Sequence, residues 1–122
     1  MIVSIKCSFG DRPEKHYALF DTGARWSVIP QSIAESYPDC FFSLDTEISQ
    51  VSRHGKNTGV LHLCNIRFLA DDGEDIIFES NVLVIPDWNG PIVIGFTAML
   101  DKIRWACDPT IDHQGRLYFG ID

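Results

Sequence analysis

Ala18-Leu19-Phe20-Asp21-Thr22-Gly23-Ala24-Arg25-Trp26-Ser27-Val28-Ile29 is the stretch that decides how this chain reads. An apolar strand ends in an acid, a hydroxyl and a glycine, and apolar alternation then resumes. A carboxylate at a strand's end beside a glycine is a place for chemistry, and Asp21 reads as the centre of a site. The other reading is a plain turn in which the acid caps its own backbone.

Outward from this stretch, the pattern is mostly strand. Upstream, Ile2 to Phe9 alternate, with Val3, Ile5, Cys7 and Phe9 on one face. Gly10-Asp11-Arg12-Pro13 is a turn, and His16 to Asp21 completes a hairpin. Downstream, Trp26 to Ile29 is a short strand, and Pro30 to Tyr37 a marginal helix ended by Pro38. Asp39 to Thr46 reads as irregular. Glu47 to Ser52 and Gly59 to Leu69 are two strands around a polar loop of residues 53–58. Asp71-Asp72-Gly73 is a tight turn before a long strand, Asp75 to Ile85. After the loop Asp87 to Pro91, Ile92-Val93-Ile94 is a short buried strand. Phe96, Met99, Leu100 and Ile103 then fall at helical spacing and predict a helix over Phe96 to Trp105. Leu117 to Ile121 is a last strand. The fold expected is all-β, a closed barrel or sandwich with one C-terminal helix.

At 122 residues the chain is one domain, residues 1–122, and its 45% hydrophobic content suffices for a core. A net charge of −7 with scattered basic residues argues against nucleic acid as a partner. No apolar run approaches a membrane span, so no membrane partner is expected. The amino terminus lacks the pattern of a secretion signal. Cys7, Cys40, Cys64 and Cys107 form no Cys-x-x-Cys pair, so no metal is expected. They read as free thiols in a reducing compartment, hence a cytoplasmic protein, with a disulfide pair as the alternative. His16, His62 and His113 have no metal-like spacing, and the acidic run Asp71 to Asp75 is a solvated turn.

A lone Asp-Thr-Gly meets a simple chemical demand. Cleaving an amide needs a base for the attacking water and an acid for the carbonyl oxygen or leaving nitrogen. Two carboxyls about 3 Å apart share one proton and supply both. The chain carries one such segment. A second carboxyl therefore has to come from a second copy across a two-fold axis.

Phe20-Asp21-Thr22-Gly23-Ala24, followed by Ser27-Val28-Ile29, resembles the active-site segment of the retropepsin-type aspartic proteases, which are homodimers. Ile92-Val93-Ile94-Gly95 resembles their apolar-apolar-Gly segment, and the hairpin around Gly55 falls where the family carries its flap, with Gly59 at the glycine that often closes it. The resemblance implies an acid-protease-like barrel, an aspartic endopeptidase acting on a peptide or protein substrate, and no cofactor. Asp21, Thr22 and Gly23 would be catalytic; Ala24, Arg25, Trp26, Val28, His54, Gly55 and Ile94 would bind substrate. Viral members often carry an Asp after the Ala and an Arg after the second Gly, paired near the dimer interface. Here these are Arg25 and Phe96, so the chain is similar to cellular or bacterial members rather than viral ones. The alternative is a peptide-binding or dimerisation module of the same fold that does not cut.

Overall fold

The computed structural model describes residues 2–52, 55–108 and 116–121, with only the backbone given for Ser52, Cys107, Asp108 and Arg116. In chain order the elements are β1 (Ile2–Phe9), β2 (His16–Asp21), β3 (Val28–Pro30), α1 (Gln31–Ser36), a 3-10 turn (Pro38–Cys40), β4 (Phe41–Ser52), β5 (Gly55–Leu69), β6 (Ile76–Ile85), β7 (Ile92–Ile94), β8 (Arg104–Asp108) and β9 (Arg116–Gly120). The protein is mostly β, as its alternating and β-branched runs dictate.

Seven strands form one sheet in the order β1-β2-β7-β3-β6-β5-β4, and β1 also pairs with β5. That extra pairing, Lys6↔Leu69 through Phe9↔Ile66, brings the sheet round into a ring. The chain crosses the middle of it by parallel pairings, β2 with β7 and β3 with β6. Strands β8 and β9 make a separate two-stranded sheet. Trp105 and Phe119 fasten this sheet to the core, edge-on to Phe20 and Phe68 respectively, with centroids 5.3 and 5.7 Å apart.

The two faces of the central strands bury two different apolar clusters. Ala18, Phe20, Ile29, Val82, Val84, Ile92 and Ile94 belong to the main core. Val28, Leu83 and Ile85 face the other way and pack with Trp26, Ile48, Leu61, Trp88 and Val93. Alternation explains the split, because successive side chains in a strand point to opposite faces. The register agrees: Val28 lies opposite both Leu83 and Val93, and Leu19 opposite Val93.

Four expectations need correction. The helix over Phe96 to Trp105 is absent; these residues form turns and then enter β8. The N–H groups of Phe96 and Thr97 donate sideways to the carbonyls of Ala24 and Arg25, and Ala98 takes φ 65°, which no right-handed helix allows. The helical spacing arises because the turns still bury Met99, Leu100 and Ile103. The stretch from Asp39 to Thr46 is not irregular throughout, since β4 starts at Phe41. Its alternation is broken by a register shift between Ser43 and Glu47, where Asp45 has φ 53°. The polar loop is shorter than 53–58, because Gly55 to Thr58 already pair with β4. Finally β3 starts at Val28, and Trp26 forms an isolated bridge to Thr97 instead. The helix after Pro30 does form, and Tyr37 donates its N–H to Ile33 as its spacing requires.

Candidate functional site

Asp21 is the last residue of β2. Phe20 before it is fully buried in the main core, so alternation turns Asp21 to the opposite face, with Leu19 and Val93. Its Oδ1 accepts the N–H of Gly23 at 2.9 Å, and its carbonyl accepts the N–H of Ala24 at 3.1 Å. The acid thus does cap its own turn. One carboxylate oxygen is held in place, and the half-buried side chain keeps its other oxygen without a bond to any described residue. Thr22 is half-buried and Gly23 exposed beside it.

A second chain segment locks this loop from behind. Phe96 N–H donates to Ala24 O at 2.9 Å and Thr97 N–H to Arg25 O at 2.8 Å. Gly95 lies so close that a Cβ there would sit 2.5 Å from the carbonyl carbon and oxygen of Trp26. Only a residue without a side chain permits that approach. Ser27, wholly buried, closes the arrangement: its Oγ accepts the N–H of Gly95 at 2.8 Å and donates to Met99 Sδ at 3.5 Å. Both motifs of the sequence therefore meet in space, joined through backbone.

The Asp21 face carries the second apolar cluster, Ile48 of β4 packs into it, and the β4–β5 hairpin runs on past its pairing with β6. From Val60 onward β5 pairs with β6, but Gly55 to Gly59 pair only with Ile48 to Ser52 of β4. Gly59 seats the base of this two-stranded overhang, because a Cβ there would lie 2.7 Å from Val84 O and Ile85 Cγ1. Ile48 packs into the second cluster, so the paired Gln50 and Asn57, one pleat further out, share its face. Nδ2 of Asn57 is a buried nitrogen with no partner among the described residues. A donor in that state is costly unless something accepts from it.

The site residues expected from sequence fall into three groups. Asp21, Thr22, Gly23, Ala24, Arg25 and Trp26 are brought together on one loop, with Trp26 half-buried in the second cluster. Val28 and Ile94 are 2% and 0% exposed; within one chain they back the loop rather than line a surface, and Ile94 points to the main core. Gly55 lies at the end of the overhang with φ 97°, and His54 lies outside the described residues. Missing from the expectation were Ser27 as the buried connector and Val93 as an apolar neighbour of the Asp21 face, where Trp88 also packs. Val93 was open to detection, because alternation with Ile92 and Ile94 turns it to that side.

Arg25 is exposed and makes no ion pair with Asp21 or any other described carboxylate. Cys7, Cys40 and Cys64 are free thiols, and burial pushes Cys7 and Cys64 up to about 12. Among the described residues no group of His, Cys, Asp or Glu is arranged to hold a metal ion, and no helix is long and apolar enough to cross a membrane. No protein-family model matches this chain, and a search of curated proteins finds no match to its sequence.

Proposed function

We propose that the chain is a retropepsin-type aspartic endopeptidase of the cellular or bacterial kind, active as a homodimer with an acid-protease-like barrel. One observation carries the proposal: Asp21 closes β2 on a loop bonded to the Gly95–Thr97 segment, on the sheet face whose apolar cluster Ile48 of the β4–β5 hairpin joins. In a two-fold dimer the two Asp21 carboxyls face each other and hold one water. One carboxylate takes a proton from that water as its oxygen attacks the peptide carbonyl carbon, and the other, protonated, gives its proton to the carbonyl oxygen. The tetrahedral adduct then collapses. Its C–N bond breaks as the protonated carboxyl gives its proton to the leaving nitrogen, while the ionised carboxylate takes a proton from one diol hydroxyl, so the C=O bond re-forms and the pair again shares one proton. This chemistry calls for no metal or organic cofactor.

The Gly23 N–H holds each carboxylate in orientation, and Thr22 with Gly23 shapes the turn. Ala24, Arg25 and Trp26 contact the peptide, and Val28 and Ile94 support that loop from beneath. The hairpin from Ser52 to Thr58, which includes Gly55, acts as the flap and binds the extended peptide as an added strand. The unpartnered Asn57 amide supports a donor role towards that peptide. Free thiols support a reducing compartment such as the cytoplasm.

The test is Asp21→Asn. A neutral amide cannot act as the base, so peptide cleavage should fall by about a thousandfold or more, with circular dichroism and sedimentation unchanged. Full activity in that variant removes the mechanism. A wild-type dimer that binds peptides and never cuts them establishes the binding-module reading instead.

A further inference from the structure

We infer that Arg25 selects peptides carrying an acidic side chain close to the cleaved bond, an inference that rests on the proposed site binding a peptide. Arg25 lies on the loop that Asp21 begins. Its backbone is immobilised, since its carbonyl accepts the Thr97 N–H at 2.8 Å and its neighbours Ala24 and Trp26 are tied to Phe96 and Thr97. Its side chain is nevertheless exposed and pairs with no described carboxylate.

Other arginines behave differently. Arg12 sits 2.7 Å from Asp39, and Arg67 sits 3.7 Å from Asp75. A chain with 17 acidic residues and a net charge of −7 thus neutralises those cations internally and leaves this one open, on the loop that holds Asp21. A guanidinium presents a planar fork of donors that matches a carboxylate in bidentate fashion. With its base anchored, less freedom is lost when it binds one.

The next residue narrows the substrate further. Trp26 belongs to the apolar cluster with Val28, Ile48, Trp88 and Val93, so an apolar peptide side chain has a surface beside the cation. The substrate class is an extended peptide with apolar residues at the cleaved bond and an acidic residue flanking them. Two-fold symmetry places one Arg25 on each side, so acids on both sides should act together.

The experiment uses the whole chain and synthetic peptides in which an apolar pair is flanked on both sides by Glu, Gln or Lys. The wild type should show KM about tenfold higher for the Gln peptide than for the Glu peptide, the scale of one charge-assisted bond. KM for the Glu peptide alone should rise with salt. R25Q should treat Glu and Gln peptides alike, R25K should keep a reduced preference for Glu, and R25E should turn the preference towards Lys. Equal KM values for Glu and Gln peptides in the wild type overturn the inference, as does a preference that survives in R25Q. Binding to the uncut D21N protein, read by fluorescence anisotropy, separates the two proposals. If the wild type cuts nothing while D21N binds Glu peptides more tightly than Gln peptides, and the D21N/R25Q protein does not, selection by Arg25 stands and the protease falls. If no peptide binds, both fall.

Discussion

Cys7 and Cys64 carry the clearest pH consequence at the scale of single residues. Both are buried, and burial raises them from 9.0 to about 12 because a thiolate there would lose its hydration. The folded state therefore holds its protons longer than the unfolded chain does. The associated stability is fully present below pH 9 and is lost as the pH climbs from 9 towards 12. The unfolding free energy from urea titration should decline over that window, by up to about 1 kcal/mol per pH unit for each thiol. The Cys7→Ala/Cys64→Ala protein should show a shallower decline, and equal slopes in the two proteins would refute the account. At this scale the sequence was informative wherever alternation decides. Asp21 opposes Phe20 on its strand, and its place outside the core follows from that. Ser27 was illegible, because its bond to Gly95 spans 68 residues and nothing local announces it.

At the scale of elements, strands were legible where apolar alternation is regular, as in β1 and β2, whose bounds follow from the pattern alone. The segment after Gly95 was not. Helical spacing there reflects which residues are buried, while the backbone N–H groups are committed to the Asp21 loop. Ala98 separates the two descriptions experimentally. In a helix, Ala98→Gly would cost about 1 kcal/mol. At φ 65° the same change relieves left-handed strain and should stabilise the protein by about 1 kcal/mol, read as a higher melting temperature. A lower melting temperature would contradict the turn. Ser80 Oγ bonds the Ala98 carbonyl at 2.7 Å and does not depend on the side chain removed. Strand β4 was half-read for a related reason, since its bulge at Asp45 interrupts the period on which strand recognition depends.

For the whole molecule, the expectation was a closed barrel or sandwich, and the structure gives a mostly-β, ring-like sheet in which β1 also pairs with β5. The sequence argument for a partner copy rests on the single Asp-Thr-Gly, and the surface carries apolar side chains that such a partner would cover. Ile2, Phe96, Tyr118 and Ile121 are all about half exposed, and Ile2 to Ile5 of β1 pair on one side only. Apolar surface and an open strand edge are what an association would cover. If the site is completed by a second chain, specific activity should fall on dilution, in step with dissociation measured by sedimentation. Phe96→Glu should shift that dissociation to concentrations at least about tenfold higher while the melting curve of the isolated chain stays put. Activity independent of concentration, in a strict monomer, would exclude a shared site.

The overhang of Ile48–Ser52 and Gly55–Gly59 also has a consequence in time. Each of its strands has one neighbour, whereas Ile92 to Ile94 lie between β2 and β3 inside the ring. Opening the overhang breaks one ladder and disturbs little of the core; exposing the amides of β7 requires undoing the sheet. Amide hydrogens of the two regions should therefore exchange with deuterium on separate clocks, the overhang by local fraying and β7 only by global unfolding. The loop that carries Asp21 is bonded to the segment just after β7, so the slow clock governs the acid and the fast one governs the outer end of the β4–β5 hairpin.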